Sequence, residues 1–127
     1  MKYLLDTHVA KWALDDDVKL SENAKSILGD TSLQIWVSLA SAWEIAIKIS
    51  VGKLSFEGGS KFFIEKLRQF GVEILHVNEA HIATVEKLPL LHRDPFDRIL
   101  ISTAIAEGMT IITADESIQK YDVSWIW

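Results

Sequence analysis

Short apolar runs alternate along the chain with longer stretches whose apolar positions recur at helical spacing, the signature of strands interleaved with helices. Tyr3-Leu4-Leu5 reads as a short buried strand, followed by a helix from His8 to Leu14 and a polar break at Asp15-Asp16-Asp17. Ser21 caps a second helix running through Leu28 and stopped by Gly29. LQIWVS, from Leu33 to Ser38, is rich in β-branched and aromatic residues and forms the next strand. Leu39 to Val51 is a helix apolar over most of its circumference and ended by Gly52, and Lys61 to Phe70 is another ended by Gly71. VEILHV, from Val72 to Val77, is a third strand, and Asn78 caps a helix reaching about Leu88. Asp94 opens a helix from Pro95 to Glu107, Gly108 closes it, Thr110 to Thr113 make a fourth strand, and VSWIW alternates at period two as an edge strand. Strands alternating with helices predict an α/β fold with a parallel sheet covered on both faces. FEGGSK is the one connection that reads as flexible.

Composition narrows the class. A chain of 127 residues, 49% of them hydrophobic, supports one continuous core, so a single domain over residues 1–127 is expected. With no cysteine, disulfides, thiolate metal sites and cysteine nucleophiles are excluded, which suits a reducing cytoplasm. The opening MKYLLDTHVA fits neither a signal peptide nor a membrane span, so a soluble chain with no membrane association is expected. Thirteen Lys and Arg against eighteen Asp and Glu give a formal charge of −5, which argues against coating nucleic acid by general attraction. Carboxylates gathered around divalent cations would soften that objection.

In an open parallel sheet the ligand crevice lies beyond the carboxyl ends of the strands. Asp6 follows the first strand and Asp115 follows IITA, so both emerge at that edge. Each could cap the next helix; their pairing favours ligands. Glu44 sits in LASAWEIAIKISV with Ser41 and Lys48 on one polar stripe of an otherwise apolar helix, either an exposed Glu44–Lys48 pair or the wall of a wet cleft. In HRDPFDR, Asp94 followed by Pro95 is a helix cap, whereas Asp97 shares its face with Leu100, Ile101 and Ala104 and points inward. Four converging carboxylates repel one another unless cations neutralise them. Oxygen ligands select hard ions such as magnesium or manganese, which serve phosphoryl transfer or phosphodiester hydrolysis.

Taken in order, LLDTHVAKWAL, SLASAWEIAIKISVGKL, HRDPFDRILISTAIAEG, IITADESIQKY and VSWIW resemble a PIN-domain ribonuclease, specifically a VapC-type toxin of bacterial toxin-antitoxin pairs. The resemblance spans nearly the whole chain. It implies a three-layer α/β/α, Rossmann-like fold with a central, mainly parallel sheet that hydrolyses RNA with Mg2+ or Mn2+. The family's acids match Asp6, Glu44, Asp97 and Asp115, and its supporting hydroxyls match Thr7 and Thr113; Asp94 stays a cap or an outer support. The implied mechanism is in-line attack by a metal-bound water, leaving a 5′-phosphate and a 3′-hydroxyl. Homodimers and a cognate antitoxin that blocks the cleft are implied as partners.

Lys48, Arg93 and Arg98 are candidate phosphate contacts, although an arginine beside a carboxylate is more often a simple ion pair. His8 reads as an imidazole closing the crevice, and His76 and His81 lack zinc spacing. Trp12, Trp36, Trp43, Trp125 and Trp127 suit core packing or an interface, the core being the commoner place. Two other functions compete. A magnesium-dependent phosphatase of the haloacid-dehalogenase kind needs a second acid two residues after Asp6, where His8 stands. A non-catalytic interaction module would use its acids only as caps.

Overall fold

β1 (Lys2–Leu5) is the central strand of a five-stranded sheet in the computed structural model, which describes residues 1–127. On one side lie β2 (Gln34–Ser38) and then β3 (Glu73–Leu75), and on the other β4 (Thr110–Ile112) and then β5 (Trp125–Ile126), giving the order β3-β2-β1-β4-β5. Every pairing is parallel, so the sheet expected to be mainly parallel is wholly so. VSWIW takes the edge position, with Trp125 and Ile126 beside Ile111 and Ile112.

Parallel strands need crossovers, and the helices provide them. They are α1 (Thr7–Asp15), α2 (Glu22–Leu28), α3 (Leu39–Ser50), α4 (Gly59–Gln69), α5 (Glu79–Lys87), α6 (Pro95–Glu107) and the short α7 (Glu116–Gln119). The pleat sorts the strand residues between two layers. Tyr3 and Leu5 join Ile35, Val37 and Ile112 on one face, packed with Val9 and Ala10 of α1, Ala24 and Ile27 of α2, and Phe63 and Leu67 of α4. Leu4 and Ile111 point the other way onto Leu100, Ile101 and Ala104 of α6, Ile118 of α7 and Tyr121. Buried on both faces, β1 and β4 must be apolar at successive positions, which is why Tyr3-Leu4-Leu5 reads as a run instead of an alternation.

Some expectations shift. α4 starts at Gly59, inside the connection that reads as flexible, with Gly58 in a left-handed conformation (φ 86°) turning the chain into it. β3 is shorter than VEILHV, and α7 was not anticipated because four residues carry no periodic signal. The tryptophans divide: Trp12, Trp36 and Trp127 are half-buried and pack against the core, while Trp43 and Trp125 are exposed. An indole's size makes full burial uncommon. No helix is long and apolar enough to cross a membrane.

Leu4 is fully buried between β1 and α6. Leu4→Ala should lower unfolding free energy by about 2–5 kcal/mol in urea titration, while Leu90→Ala at an exposed site should stay within about 0.5 kcal/mol.

Candidate metal centre

The sheet reverses its winding between β1 and β4, since the chain runs outward to β2 and β3 on one side and to β5 on the other. That is where a doubly wound sheet opens its ligand crevice. Leu5 pairs with Ile112, and the Asp6 amide donates to the Ile112 carbonyl at 3.1 Å, so the acids after β1 and β4 leave the sheet side by side.

Asp6 occupies the N-cap position of α1, yet its side chain caps nothing. Its Oδ2 instead accepts from Thr113 Oγ1 at 2.9 Å, and the Asp115 amide donates to that same Thr113 oxygen at 2.9 Å. One hydroxyl therefore fixes the Asp6 carboxylate and the backbone of Asp115. Asp115 does act as a cap, accepting from the Ser117 amide through Oδ1 at 2.8 Å. Thr7 turns elsewhere: its hydroxyl donates to Ser41 Oγ at 2.8 Å, tying α1 to α3 without touching a carboxylate.

The polar residues Ser41 and Glu44 of α3 face the protein together with Ala40, Ala42 and Ile45, while a second apolar strip of the helix faces water. Ser41 and Glu44 are buried, whereas Leu39, Trp43 and Ile47 are exposed. The Glu44–Lys48 pair exists, with Nζ to Oε2 at 2.7 Å, but Glu44 is only 4% exposed, so it is not the simple surface pair. Burying Glu44 and exposing Leu39, Trp43 and Ile47 both cost free energy, which singles out these two strips of α3.

In HRDPFDR, Asp94 accepts from the amides of Phe96 and Asp97 at 2.9 and 3.3 Å and is exposed, which makes it the N-cap of α6. Asp97 is buried on the same face as Leu100, Ile101 and Ala104. His92, part of the motif but without an evident role in the sequence, contacts Asp97 Oδ2 through Nε2 at 3.0 Å and the Tyr121 hydroxyl through Nδ1 at 2.8 Å. Tyr121 lies far along the chain, and nothing in its local sequence marks it.

Electrostatics joins the four acids. Burial pushes the Asp6 carboxyl above its ordinary range; hydrogen bonding from Thr113 and the nearby His8 oppose this, while the charges of Asp115 and Glu44 add to it. Burial likewise raises Asp97 to about 7, against the His92 hydrogen bond and with the charges of Asp94, Asp6 and Asp115 adding to the rise. Asp6, Glu44, Asp97 and Asp115 thus share one field. No three carboxylate or imidazole groups close tightly enough to hold an ion by protein atoms alone. Hard divalent ions fit such an arrangement, because they keep several waters and take few carboxylates alongside phosphate oxygens. The donor set is all oxygen, and Lys48 is the one lysine or arginine paired to any of these four acids.

Other candidates lie apart. Arg93 and Arg98 line an apolar groove of about 740 Å³ between α3, α5 and α6, and neither pairs with a carboxylate. Arg98 donates instead to the Pro89 carbonyl and the Tyr121 hydroxyl, at 3.0 and 2.9 Å. His8 is exposed instead of buried over the acids. His81 is spent in the capping box of α5, accepting from the Asn78 amide at Nδ1.

A family model described as PIN domain matches residues 3–124. Among solved structures, the chain is similar to one in a VapBC2 structure from Rickettsia felis bound to a promoter DNA fragment, with TM-score 0.73, 20% identity, and 99% of this chain and 98% of that one covered. It is similar to one in VapBC-1 from nontypeable Haemophilus influenzae, with TM-score 0.69, 22% identity, and coverage of 99% and 97%. A toxin-antitoxin complex from Klebsiella pneumoniae gives TM-score 0.67 at 15% identity, covering 98% and 96%. No curated protein matches it.

Because Asp97 binds its proton more tightly in the folded chain than in the unfolded one, its contribution to stability is present below the ordinary value of 3.8 and is lost as pH rises toward about 7. Metal-free protein should therefore melt at progressively lower temperature from acid to neutral pH in this component. Asp97→Asn, which retains an acceptor for His92, should flatten the slope and stabilise the metal-free chain at neutral pH by on the order of 1 kcal/mol. Thermal melts in chelator across that range measure it.

Proposed function

The chain belongs to the PIN-domain family, and on that premise we propose that it is a metal-dependent endoribonuclease, the toxin of a toxin-antitoxin pair. The observation that carries this reading is Asp6: it sits at a cap position, caps nothing, and is held by Thr113 in the field of Glu44, Asp97 and Asp115. An interaction module whose acids merely cap helices has no use for that arrangement. Asp6, Glu44, Asp97 and Asp115 are the proposed ligands of Mg2+ or Mn2+.

A divalent ion supplies positive charge against a phosphodiester and increases the acidity of water. The chain's own groups do the rest. Thr113 holds Asp6 and fixes the start of the Asp115 turn, and Thr7 with Ser41 pins α1 to α3. Lys48 orients Glu44 and, being about one-third exposed, can also meet an RNA phosphate at the cleft. Arg93 is a weaker candidate for that contact because it lies in the apolar groove, and Arg98 is already engaged by Tyr121.

The proposed partners are RNA, a cognate antitoxin and a second copy of the chain, in the cytoplasm. Support for protein partners is the exposed apolar surface of Leu39, Trp43 and Ile47 beside the groove, together with the fold shared with a toxin-antitoxin complex.

Purified chain with Mn2+ should cleave RNA to 5′-phosphate products, and excess chelator should abolish cleavage. Asp6→Asn should reduce it by more than the roughly 10–100-fold typical of losing an outer hydrogen-bond partner of a metal ligand. Equal behaviour of wild type, chelated protein and Asp6→Asn would refute the nuclease reading.

A further inference from the structure

We propose that His92 is a positioning residue for Asp97, locked in one tautomer by a relay running from Arg98 through the Tyr121 hydroxyl. The polarity of the relay follows from counting hydrogens. Arg98 can only donate, and its Nη1 lies 2.9 Å from the Tyr121 oxygen. The His92 amide also donates to that oxygen, at 3.3 Å. Tyr121 has a single hydrogen to give, and the shorter of its two acceptors is His92 Nδ1 at 2.8 Å, against 3.5 Å for the His92 carbonyl. Nδ1 is thereby an acceptor, so the ring proton of the neutral imidazole sits on Nε2. From there it points at Asp97 Oδ2, 3.0 Å away.

The consequence falls on Asp97. Its Oδ2 is committed to His92, while Oδ1 has no protein partner and stays available to a ligand. A carboxylate in the first turn of a helix has free torsions unless something holds it, and an outer hydrogen bond is the usual device for fixing a metal-binding side chain. The relay itself is rigid. Tyr121 is buried, its ring meets His92 edge-on at 5.3 Å, and Arg98 is clamped by the Pro89 carbonyl. Through it, the segment after α7 and the loop before α6 jointly set the geometry of one acid.

This inference rests on Asp97 acting as a metal ligand, and its test separates the two ideas. The probes are Mn2+ binding by calorimetry and the long-range 1H–15N spectrum of the imidazoles in metal-free protein at about pH 8, above the ordinary titration range of free imidazole. Wild type should show His92 protonated at Nε2. His92→Ala should weaken Mn2+ binding by about 10–100-fold, and His92→Gln, which can present an amide hydrogen near the same place, should recover most of the loss. Tyr121→Phe keeps the ring, should remain folded, and should erase the tautomer preference. Wild type that binds no Mn2+ would overturn the metal reading. Tight Mn2+ binding unaffected by His92→Ala, no advantage of Gln over Ala, or an Nδ1-protonated ring would each overturn the positioning role alone.

Discussion

The parallel pairing of β1 with β4 is the constraint on which the site depends. Leu5 opposite Ile112 sets the register, and the hydrogen bond from Asp6 to Ile112 continues it one residue past the strand. Slipping that register by one residue would turn Leu4 and Leu5 to the wrong layers, so the apolar core itself enforces it. The acids inherit their neighbourhood from hydrophobic packing. Two residues separated by nearly the full length of the chain become adjacent because the leucines and isoleucines preceding them have nowhere else to go.

Around that edge the structure tolerates local costs that stability alone would remove. Asp6 gives up a helix cap to hydrogen-bond Thr113. α3 buries Glu44 and exposes Trp43. Burial and mutual repulsion raise the proton affinity of Asp6 and Asp97. Violations of ordinary patterning tend to gather at functional sites, and here they fall on acids that share one electrostatic field. The exposed apolar strip of α3 belongs to the same account, since the helix that buries Glu44 also turns Leu39 and Trp43 to the groove against α5 and α6.

The acids are not equivalent in how they are held. Asp115 and Asp94 are anchored by backbone amides at helix starts, a local device. Asp6 and Asp97 are anchored by side chains from distant segments, Thr113 and His92. The second kind of anchoring makes the site dependent on the whole fold being formed.

Much of this was legible in the chain as written. Strand and helix identities followed from apolar periodicity, and Asp94-Pro95 announced the start of α6 because capping and the fixed φ of proline act within a few residues. The inward aim of Asp97 followed from its spacing to Leu100, Ile101 and Ala104, and the adjacency of Asp6 and Asp115 from their place after two strands. The sequence could not distinguish Asp6 from an ordinary cap, nor show that Thr7 would turn to Ser41, that the arginines would leave the carboxylates unpaired, or that His92 would meet Tyr121. Periodicity and capping are properties of neighbouring residues, so the sequence alone determined them. Which oxygen meets which hydrogen across the fold depends on distances that exist only after the two hydrophobic layers have closed on the sheet, and that the tertiary structure decided.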